Sequence, residues 1–436
     1  MNKKPYPKYK DSGVQWLGKV PEHWEVKRLK MAAQLSDHKV EADEENPLPY
    51  IGLENIESWT GKLLLIDPDV VPTGVANSFQ EGRTLFGKLR PYLAKACNPD
   101  FSGLCSTELL VIEGRDFDRR ALLYWLLADG FVNLVDSSTY GSKMPRANWD
   151  FIGNCRLPIP PLTEQTAIAD FLDEQTGKID RLIAKKRELI ARLKEKRTAL
   201  ISRTVTRGLP PEVARVFGLE PHTRFKDSGV EWLGEIPEGW EALPLRRVVQ
   251  SVKTGGTPDG ADEHYFEEYG FKWFTPADFS EHLILEGSVR SLSETGKSAV
   301  KIFPPMAVLL VGIGATIGKV GLTLDVCSCN QQINAIVCNE QLSSFFLAYY
   351  LKTLREYIVK CGKFTTLPII NQDETKNLLI CVPSIDEQSI IATYLDRETA
   401  KLDLLTEKVE TAITRLQEYR TALITAAVTG KIDVRH

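Results

Sequence analysis

The stretch PPLTEQTAIADFLDEQTGKIDRLIAKKRELIARLKEKRTALISRTVTRG, residues 160–208, decides the fold of this chain. Two prolines lead into Thr163, a residue type suited to capping a helix, and only Gly177 interrupts the stretch before Gly208. This pattern predicts one long helix. Apolar residues recur along it at steps of three, four or seven, which places them in one stripe facing a partner helix. The predicted seam comprises Ile168, Leu172, Ile179, Leu182, Leu189, Leu193 and Leu200.

A second copy of this stretch begins at Pro383, where Gln388 lies 223 residues after Gln165. Its apolar stripe occupies the same slots, with Ile391, Leu395, Leu402, Leu405, Ala412, Leu416 and Leu423. An amphipathic helix commonly packs on a globular core, and that interpretation is open for either copy alone. Two copies in register, each closing one half of the chain, favour helices that pair with each other.

The sequence near the start of each half is also duplicated. Residues 10–25 read KDSGVQWLGKVPEHWE and residues 226–241 read KDSGVEWLGEIPEGWE, with 12 of 16 positions identical. We call each copy the tryptophan motif. Large apolar side chains beside turn-forming glycine and proline indicate a packing module, so we expect the motif's tryptophans, Trp16, Trp24, Trp232 and Trp240, to be structural.

Between motif and helix, each half holds short apolar runs separated by turn residues. The runs predict strands at 50–53, 63–66, 84–86 and 108–112 with a helix at 121–128, and then strands at 272–275, 307–311, 319–323 and 332–337 with a helix at 345–357. Strands and helices do not alternate regularly, which favours α+β domains over a doubly wound sheet. The predicted layout is a domain at 1–159, a helix at 160–208, a similar domain at 209–382 and a helix at 383–436.

Composition narrows the class of protein. The N-terminal residues resemble no signal peptide and no apolar run is long enough to span a bilayer, so we expect a cytoplasmic protein. The 8 cysteines are scattered without a zinc-binding pattern, and we interpret them as reduced and mostly buried. Net charge is −4, yet residues 178–207 carry 11 Lys and Arg against 3 Asp and Glu. That basic stripe is consistent with three roles, which are a solvent-exposed helix face, binding to phosphates and binding to an acidic partner.

The sequence stretches that resemble catalytic or nucleotide-binding motifs each lack residues that the motif requires. The stretch VGIGATIGKV at 311–320 has Ile313 and Val320 where a phosphate-binding loop needs glycine and a hydroxyl, and Ile317 where a dinucleotide-binding loop needs glycine. NPDF at 98–101 lacks the second proline of an amino-methyltransferase element. We therefore predict no catalytic residues, no metal site and no cofactor in this chain.

Polar and basic loop residues suit a different role, because Arg or Lys pairs with guanine and Asn or Gln pairs with adenine in the DNA major groove. Candidate DNA-binding residues of the first half are Lys88, Arg90, Lys95, Ser142, Lys143, Arg146 and Asn148. Those of the second half are Lys253, Thr254, Lys319, Lys363, Thr365 and Asn371.

The arrangement resembles the specificity subunits of type I DNA restriction-modification systems. The resemblance rests on the duplicated tryptophan motif, on the helix starts PPLTEQ and PSIDEQ, and on TALI at 198–201 and 421–424, and it covers the whole chain. It implies a non-catalytic subunit whose two target-recognition domains each bind half of a split DNA site. The long helices would pack as an antiparallel coiled coil between the domains.

The resemblance also implies partners. Two modification subunits carrying S-adenosylmethionine would methylate adenine, and restriction subunits using ATP would cut double-stranded DNA. Some forty helical residues span roughly 60 Å, enough to keep two domains apart. The segment between the tryptophan motif and the long helix, which we call the middle of each half, differs between the halves, and this difference predicts an asymmetric DNA site. The net charge of −4 predicts weak DNA binding by the isolated chain.

A second hypothesis is a coiled-coil adaptor that joins proteins without contacting DNA. The two tryptophan motifs and helices are alike, whereas the middles differ, and this contrast favours DNA recognition over an adaptor for like partners.

Overall fold

The computed structural model describes residues 4–41, 48–67, 70, 74–141, 143–258, 263–361 and 369–435. The chain forms two compact units, which are Met1–Glu188 with Val409–His436, and Leu189–Lys408. Both predicted long helices are present and continuous, at Leu162–Arg207 and Ile385–Val428. Each unit therefore contains the start of one long helix and the end of the other.

Within the first unit, Ile168 and Leu172 share a buried core with Ile424 and Val428. Close to that core, Arg420 donates from Nε to Asp180 at 3.1 Å. Residue numbers rise along one helix as they fall along the other, so the helices pack antiparallel, as the resemblance implies.

The second unit repeats this arrangement. Ile201 and Val205 of the first helix share a core with Ile391 and Leu395 of the second. Arg197 donates from Nε to Asp403 at 2.9 Å, and both residues lie 223 positions from their counterparts in the pair Arg420–Asp180. The two ion pairs are therefore copies of one contact.

The predicted seam is wrong near its middle. Leu182, Leu189 and Leu405 are 44%, 41% and 43% exposed, whereas Ile183 and Val409 are each 7% exposed. The buried stripe also includes Thr176 and Thr399, both 4% exposed, and the paired Arg420. Because polar residues occupy some of the buried positions, a prediction from apolar residues alone assigns the wrong residues to the helix contact near the middle.

The start of the first long helix also differs from prediction. The helix begins at Leu162, so Thr163 lies inside its first turn and is not the cap. The N–H groups of Glu164 and Gln165 instead donate to the Pro161 carbonyl, at 2.8 and 3.0 Å.

A buried glutamate ties each tryptophan motif to a long helix. Glu164, 4% exposed, accepts hydrogen bonds from Trp24 Nε1 at 3.0 Å and from the Tyr6 hydroxyl, and pairs with His23 at 2.8 Å. Burial and this carboxylate raise the pKa of Tyr6. Trp24 is fully buried, which confirms its structural role.

The second unit has the same contact. Glu387 accepts from Trp240 Nε1 at 3.1 Å and pairs with His222 at 2.6 Å. The adjacent glutamines act alike, since Gln165 accepts from the Asp118 N–H and Gln388 from the Ser343 N–H. These bonds explain why a Glu-Gln pair occurs at the start of each long helix.

Two four-stranded sheets form the body of the first unit. One has the strand order Ala33–Ser36, Leu109–Gly114, Thr84–Gly87, Ala96–Cys97, and the other Lys39–Glu41, Val75–Phe79, Gly103–Cys105, Tyr50–Ile51. Two-stranded pairs join Tyr9–Asp11 to Lys19–Pro21 and Glu25–Arg28 to Arg156–Ile159. The shorter α-helices are Leu29–Ala32, Arg119–Leu126, Asp129–Ser137 and Trp149–Ile152, and 3₁₀ turns lie at Leu53–Asn55 and Pro91–Leu93.

The second unit also has two four-stranded sheets; the first repeats the strand order of its counterpart, and the second differs in the order of its last two strands. Its sheets run Val249–Thr254, Ile333–Cys338, Val308–Val311, Val320–Leu322 and Phe266–Glu267, Arg290–Leu292, Phe271–Phe274, Ser328–Cys329. Two-stranded pairs join Phe225–Asp227 to Glu235–Pro237 and Glu241–Pro244 to Leu379–Val382. Its α-helices are Pro211–Val216, Glu294–Ser298, Ser344–Thr353, Arg355–Cys361 and Gln372–Asn377, and 3₁₀ turns lie at Leu245–Arg247, Glu263–Tyr265 and Pro276–Asp278.

Two predicted elements differ. The strand at 63–66 is wrong, because Leu63 forms only an isolated bridge with Ile56. The helix at 345–357 is two helices, which meet at Leu354. The cysteine interpretation is confirmed among described side chains, since Cys97, Cys105, Cys155, Cys327, Cys329 and Cys381 are buried. Burial raises the pKa of Cys155 and of Cys327 to about 11.

Replacement of Arg420 tests the helix contact. Arg420 is 4% exposed and also donates to the Trp59 and Thr60 carbonyls at 2.8 and 2.9 Å. Arg420→Ala leaves these acceptors without their donor, so we expect the free energy of unfolding to fall by about 3 kcal/mol. Chemical denaturation of the full chain measures this change. Arg415→Ala, an exposed arginine of the same helix, is the control, and an equal loss in both variants would contradict the account.

Candidate nucleic-acid interface

In the first unit, three separate segments meet through backbone hydrogen bonds. The Lys88 N–H donates to the Glu108 carbonyl at 2.9 Å, and the Ala147 N–H donates to the Lys88 carbonyl at 3.0 Å. The Arg90 N–H donates to the Pro145 carbonyl at 2.8 Å. We call this set the first junction, defined as residues 88–90, 106–108, 140–141 and 143–148.

The second unit repeats the frame. The Gly312 N–H donates to the Gln332 carbonyl at 2.7 Å, and the Ile370 N–H donates to the Gly312 carbonyl at 2.8 Å. The bridge between Leu89 and Arg146 likewise has its counterpart between Ile313 and Ile369. The second junction is residues 312–314, 330–332 and 369–371.

The first junction brings together Lys88, Arg90, Lys143, Arg146 and Asn148 from the predicted site. Lys88, Arg146 and Asn148 line a cleft of about 260 Å³. Arg90 and Lys143 are exposed, and Arg90 Nη2 lies 3.5 Å from the Lys143 carbonyl oxygen. The junction thus concentrates positive charge and hydrogen-bond donors on one surface of the unit.

Besides the long contact between Arg90 and the Lys143 carbonyl, two of these side chains have closer internal partners. The Arg146 guanidinium donates from Nε and Nη2 to the Glu108 carboxylate at 3.1–3.2 Å, and this contact raises the pKa of Arg146. Asn148 caps the helix Trp149–Ile152 by accepting from the Phe151 N–H at 2.8 Å. Arg90 and Lys143 are therefore better placed than Arg146 to contact phosphates or base edges.

Two predicted lysines lie elsewhere and hold the fold together. Lys95 donates from Nζ to the Leu53 carbonyl at 2.6 Å, and Lys319 donates to the Phe279 carbonyl at 3.0 Å. The two lysines lie 224 residues apart. Lys95 binds a carbonyl within the 3₁₀ turn Leu53–Asn55, and Lys319 binds the carbonyl that follows the 3₁₀ turn Pro276–Asp278.

Among the second-half candidates, Asn371 belongs to the second junction and caps the helix Gln372–Asn377. Thr254 donates to Asn334 Oδ1 at 2.8 Å. Lys253 is exposed on the strand Val249–Thr254. Ser142, Lys363 and Thr365 lie outside the described residues.

The glycine-rich stretch 311–320 forms the turn between the strands Val308–Val311 and Val320–Leu322, and the start of this turn, residues 312–314, belongs to the second junction. Gly314 and Gly318 have φ of +99° and +80°, and the equivalent Arg90 and Ala94 have φ of +50° and +44°. A left-handed backbone costs a residue with a side chain about 1–2 kcal/mol. The glycines therefore serve this turn, and the first unit forms the same turn without them.

Two residues of the second junction, Gln331 and Gln332, are not among the predicted DNA-binding residues. Gln331 is exposed and Gln332 half-buried in the turn that follows the strand Ser328–Cys329. Extending the duplication through the middles identifies them, because CNQQIN at 329–334 aligns with CSTELL at 105–110.

Within the described ranges, no cluster of His, Cys, Asp and Glu is arranged to hold a metal ion. Within the same ranges, no helix combines the length and apolarity needed to cross a bilayer.

Comparison with known proteins gives one consistent result. The family model for the type I restriction modification DNA specificity domain matches residues 77–192 and 237–415. The EcoDI specificity subunit of Escherichia coli is 26% identical over 197 residues, covering 43% of this chain and 44% of that protein. The MjaVIII specificity subunit of Methanocaldococcus jannaschii is 23% identical over 458 residues, covering 96% of this chain and 95% of that protein.

Solved structures agree at the level of the fold. A chain from a study of complex assembly and conformational transition in the type I R-M system has a TM-score of 0.66 at 21% identity, covering 94% of this chain and 98% of that one. The HsdS subunit from Thermoanaerobacter tengcongensis has a TM-score of 0.50 at 21% identity, covering 95% and 98%.

Proposed function

Because the chain belongs to the family of type I restriction-modification DNA specificity subunits, which recognise DNA without catalysing a reaction, we propose that its two units each bind one half of a split, asymmetric site through their junctions. The observation that carries this proposal is the shared backbone frame with unlike side chains. Arg90 and Glu108 in the first junction correspond to Gly314 and Gln332 in the second. One scaffold with two sets of base-facing groups suits two different half-sites.

Genome-wide mapping of methylated adenines tests this function. The chain is co-expressed with the modification subunit of its own system in a host that lacks both. We expect a split motif with unlike halves that disappears when this chain is omitted. Methylation that is unchanged without the chain would contradict the proposal and favour an adaptor role, for which no observation on this chain gives separate support.

The duplicated surface outside the junctions supports two copies of one partner. A cleft of about 1010 Å³ in the first unit is lined in part by Trp16 and Thr425, and a cleft of about 670 Å³ in the second by Trp232 and Ser202. Trp232 is the counterpart of Trp16, and Thr425 lies 223 residues after Ser202. We assign these clefts to two modification subunits carrying S-adenosylmethionine, with ATP-dependent restriction subunits joining that complex.

The long helices are proposed to set the distance between the half-sites. Residues 1–159 and 209–382 would then be the target-recognition domains, and 160–208 and 383–436 the spacer helices. The antiparallel ion pairs Asp180–Arg420 and Asp403–Arg197 support a fixed register between the helices.

Shortening both helices by one heptad tests the spacer. Residues 185–191 and 408–414 are equivalent, so deleting both retains the seven-residue repeat. Seven residues span about 10.5 Å of helix, or about three base pairs at roughly 3.4 Å each. We expect the methylated motif to keep both halves and lose about three base pairs of gap. The pair Lys185→Ala and Lys408→Ala in the full-length chain should keep the gap, and altered half-sites in the shortened chain would contradict the spacer.

Arg90→Gly separates backbone strain from DNA contact. Glycine relieves the left-handed backbone, so we expect the variant to be at least as stable as the parent. Loss of the guanidinium should weaken specific binding by the assembled complex about 10-fold or more. Titration of the complex with duplexes carrying the motif measures this effect.

Ala94→Gly is the matched control, because it changes the neighbouring left-handed position without removing a charge. We expect DNA affinity to be unchanged in this variant. Equal losses of affinity in both variants would show that the turn's shape matters and the guanidinium does not.

A further inference from the structure

The turn of residues 330–332 is built on the same backbone as its counterpart, residues 106–108. The Asn330 N–H donates to the Phe274 carbonyl at 2.9 Å, as the Ser106 N–H donates to the Ile51 carbonyl at 3.0 Å. Each turn then closes through a bond across three residues, with the Ile333 N–H on the Asn330 carbonyl at 3.2 Å in the second unit. The backbone is thus held constant while the side chains change from Ser-Thr-Glu to Asn-Gln-Gln.

The glutamine amides of this turn are oriented in advance. Thr257 donates from its hydroxyl to Gln331 Oε1. Asn330 donates from Nδ2 to Gln332 Oε1 at 3.0 Å, and the Gln332 N–H donates to Asn330 Oδ1 at 3.0 Å. Because each amide oxygen has a fixed donor, the amide plane is set before DNA arrives, which lowers the entropy lost on binding.

The first junction offers different chemistry at the equivalent positions. Glu108 corresponds to Gln332, and its carboxylate is occupied by Arg146. Ile369 replaces Arg146 in the second junction, so no guanidinium stands at that position beside Gln332. The turn of the second unit therefore presents neutral amides, whereas the equivalent turn of the first unit presents an ion pair.

A neutral carboxamide complements one base in the major groove. Adenine presents the N7 acceptor and the N6 amino donor there, and a glutamine amide can satisfy both at once. Lys253 is exposed on the neighbouring strand, opposite Ala335, where an ammonium suits a phosphate. The turn and this strand thus offer an amide suited to a base edge and an ammonium suited to a phosphate.

We propose that Gln331 recognises an adenine of an A·T pair in the half-site bound by the second unit, with Thr257 orienting the amide and the Asn330–Gln332 pair supporting the turn. This proposal rests on the proposed DNA-recognition function and assigns a specificity-determining residue within it.

The test uses the chain assembled with its modification subunits and a panel of duplexes in which every position of the motif is varied singly. We expect the parent complex to require adenine at one position of one half-site. Gln331→Ala should lower discrimination at that position alone by about 10- to 100-fold. Gln331→Glu should shift its preference toward cytosine, whose N4 amino group donates to a carboxylate.

Two further variants make the result specific. Thr257→Val removes the orienting hydroxyl and should reduce discrimination at the same position by less than Gln331→Ala does. Gln341→Ala alters an exposed glutamine of the same unit and should leave every position unchanged. Circular dichroism and denaturation midpoints establish that all four variants are folded.

The outcomes separate this proposal from the function on which it rests. If the parent complex binds without any split motif, the DNA-recognition proposal fails. If the motif is present and the Gln331 variants keep the parent's preference at every position, only the adenine contact is overturned. A uniform loss of affinity for all duplexes also overturns it, because that result marks a phosphate contact.

Discussion

The structure depends on the exchange of helix ends between the two halves of the chain. The core of the first unit contains Ile424 and Val428 from the end of the second long helix, and the core of the second contains Ile201 and Val205 from the end of the first. Neither half buries its apolar surface with its own residues alone. The stability of each unit is therefore coupled to the correct pairing of both helices, which the two equivalent Asp–Arg contacts help to align.

On this constant frame the chain varies its surface chemistry. The Glu-Gln pairs that anchor the tryptophan motifs, the lysines on the 3₁₀-turn segments and the asparagines that cap the short helices are the same in both units. The junctions differ where side chains face outward. Under the proposed function, exchanging these exposed side chains would change the half-site that each unit binds, while the buried cores that hold the backbone keep their residues.

Much of the frame was predictable, because duplication makes weak patterns strong. The helices, the buried tryptophans Trp24 and Trp240 and most strands followed from periodicity and repeated motifs, whereas Trp16 and Trp232 are half-buried and line clefts. The seam failed at Leu182 and Leu405 because Thr176 and Arg420 occupy buried positions, where side-chain bonds satisfy their polar groups. The strand at 63–66 failed because local apolar character does not supply a pairing partner.

The candidate site was predictable only in part. Residue type selected Arg90 and Lys143, which the structure brings together, but it also selected Lys95 and Lys319, whose ammonium groups bind carbonyls within the fold. Composition cannot distinguish these cases, since the partner is distant in sequence. Gln331 was not predicted because its counterpart in the first unit is Thr107, so no repeated residue type marks the position.

The most direct measurement is the methylation motif of a chain in which residues 242–383 are replaced by residues 26–160, so that both halves carry the first middle on the unchanged helices. The account predicts an inverted repeat of one parental half-site with the parental gap. An asymmetric motif, or the parental motif retained, would contradict the claim that the two middles read DNA independently on a common frame.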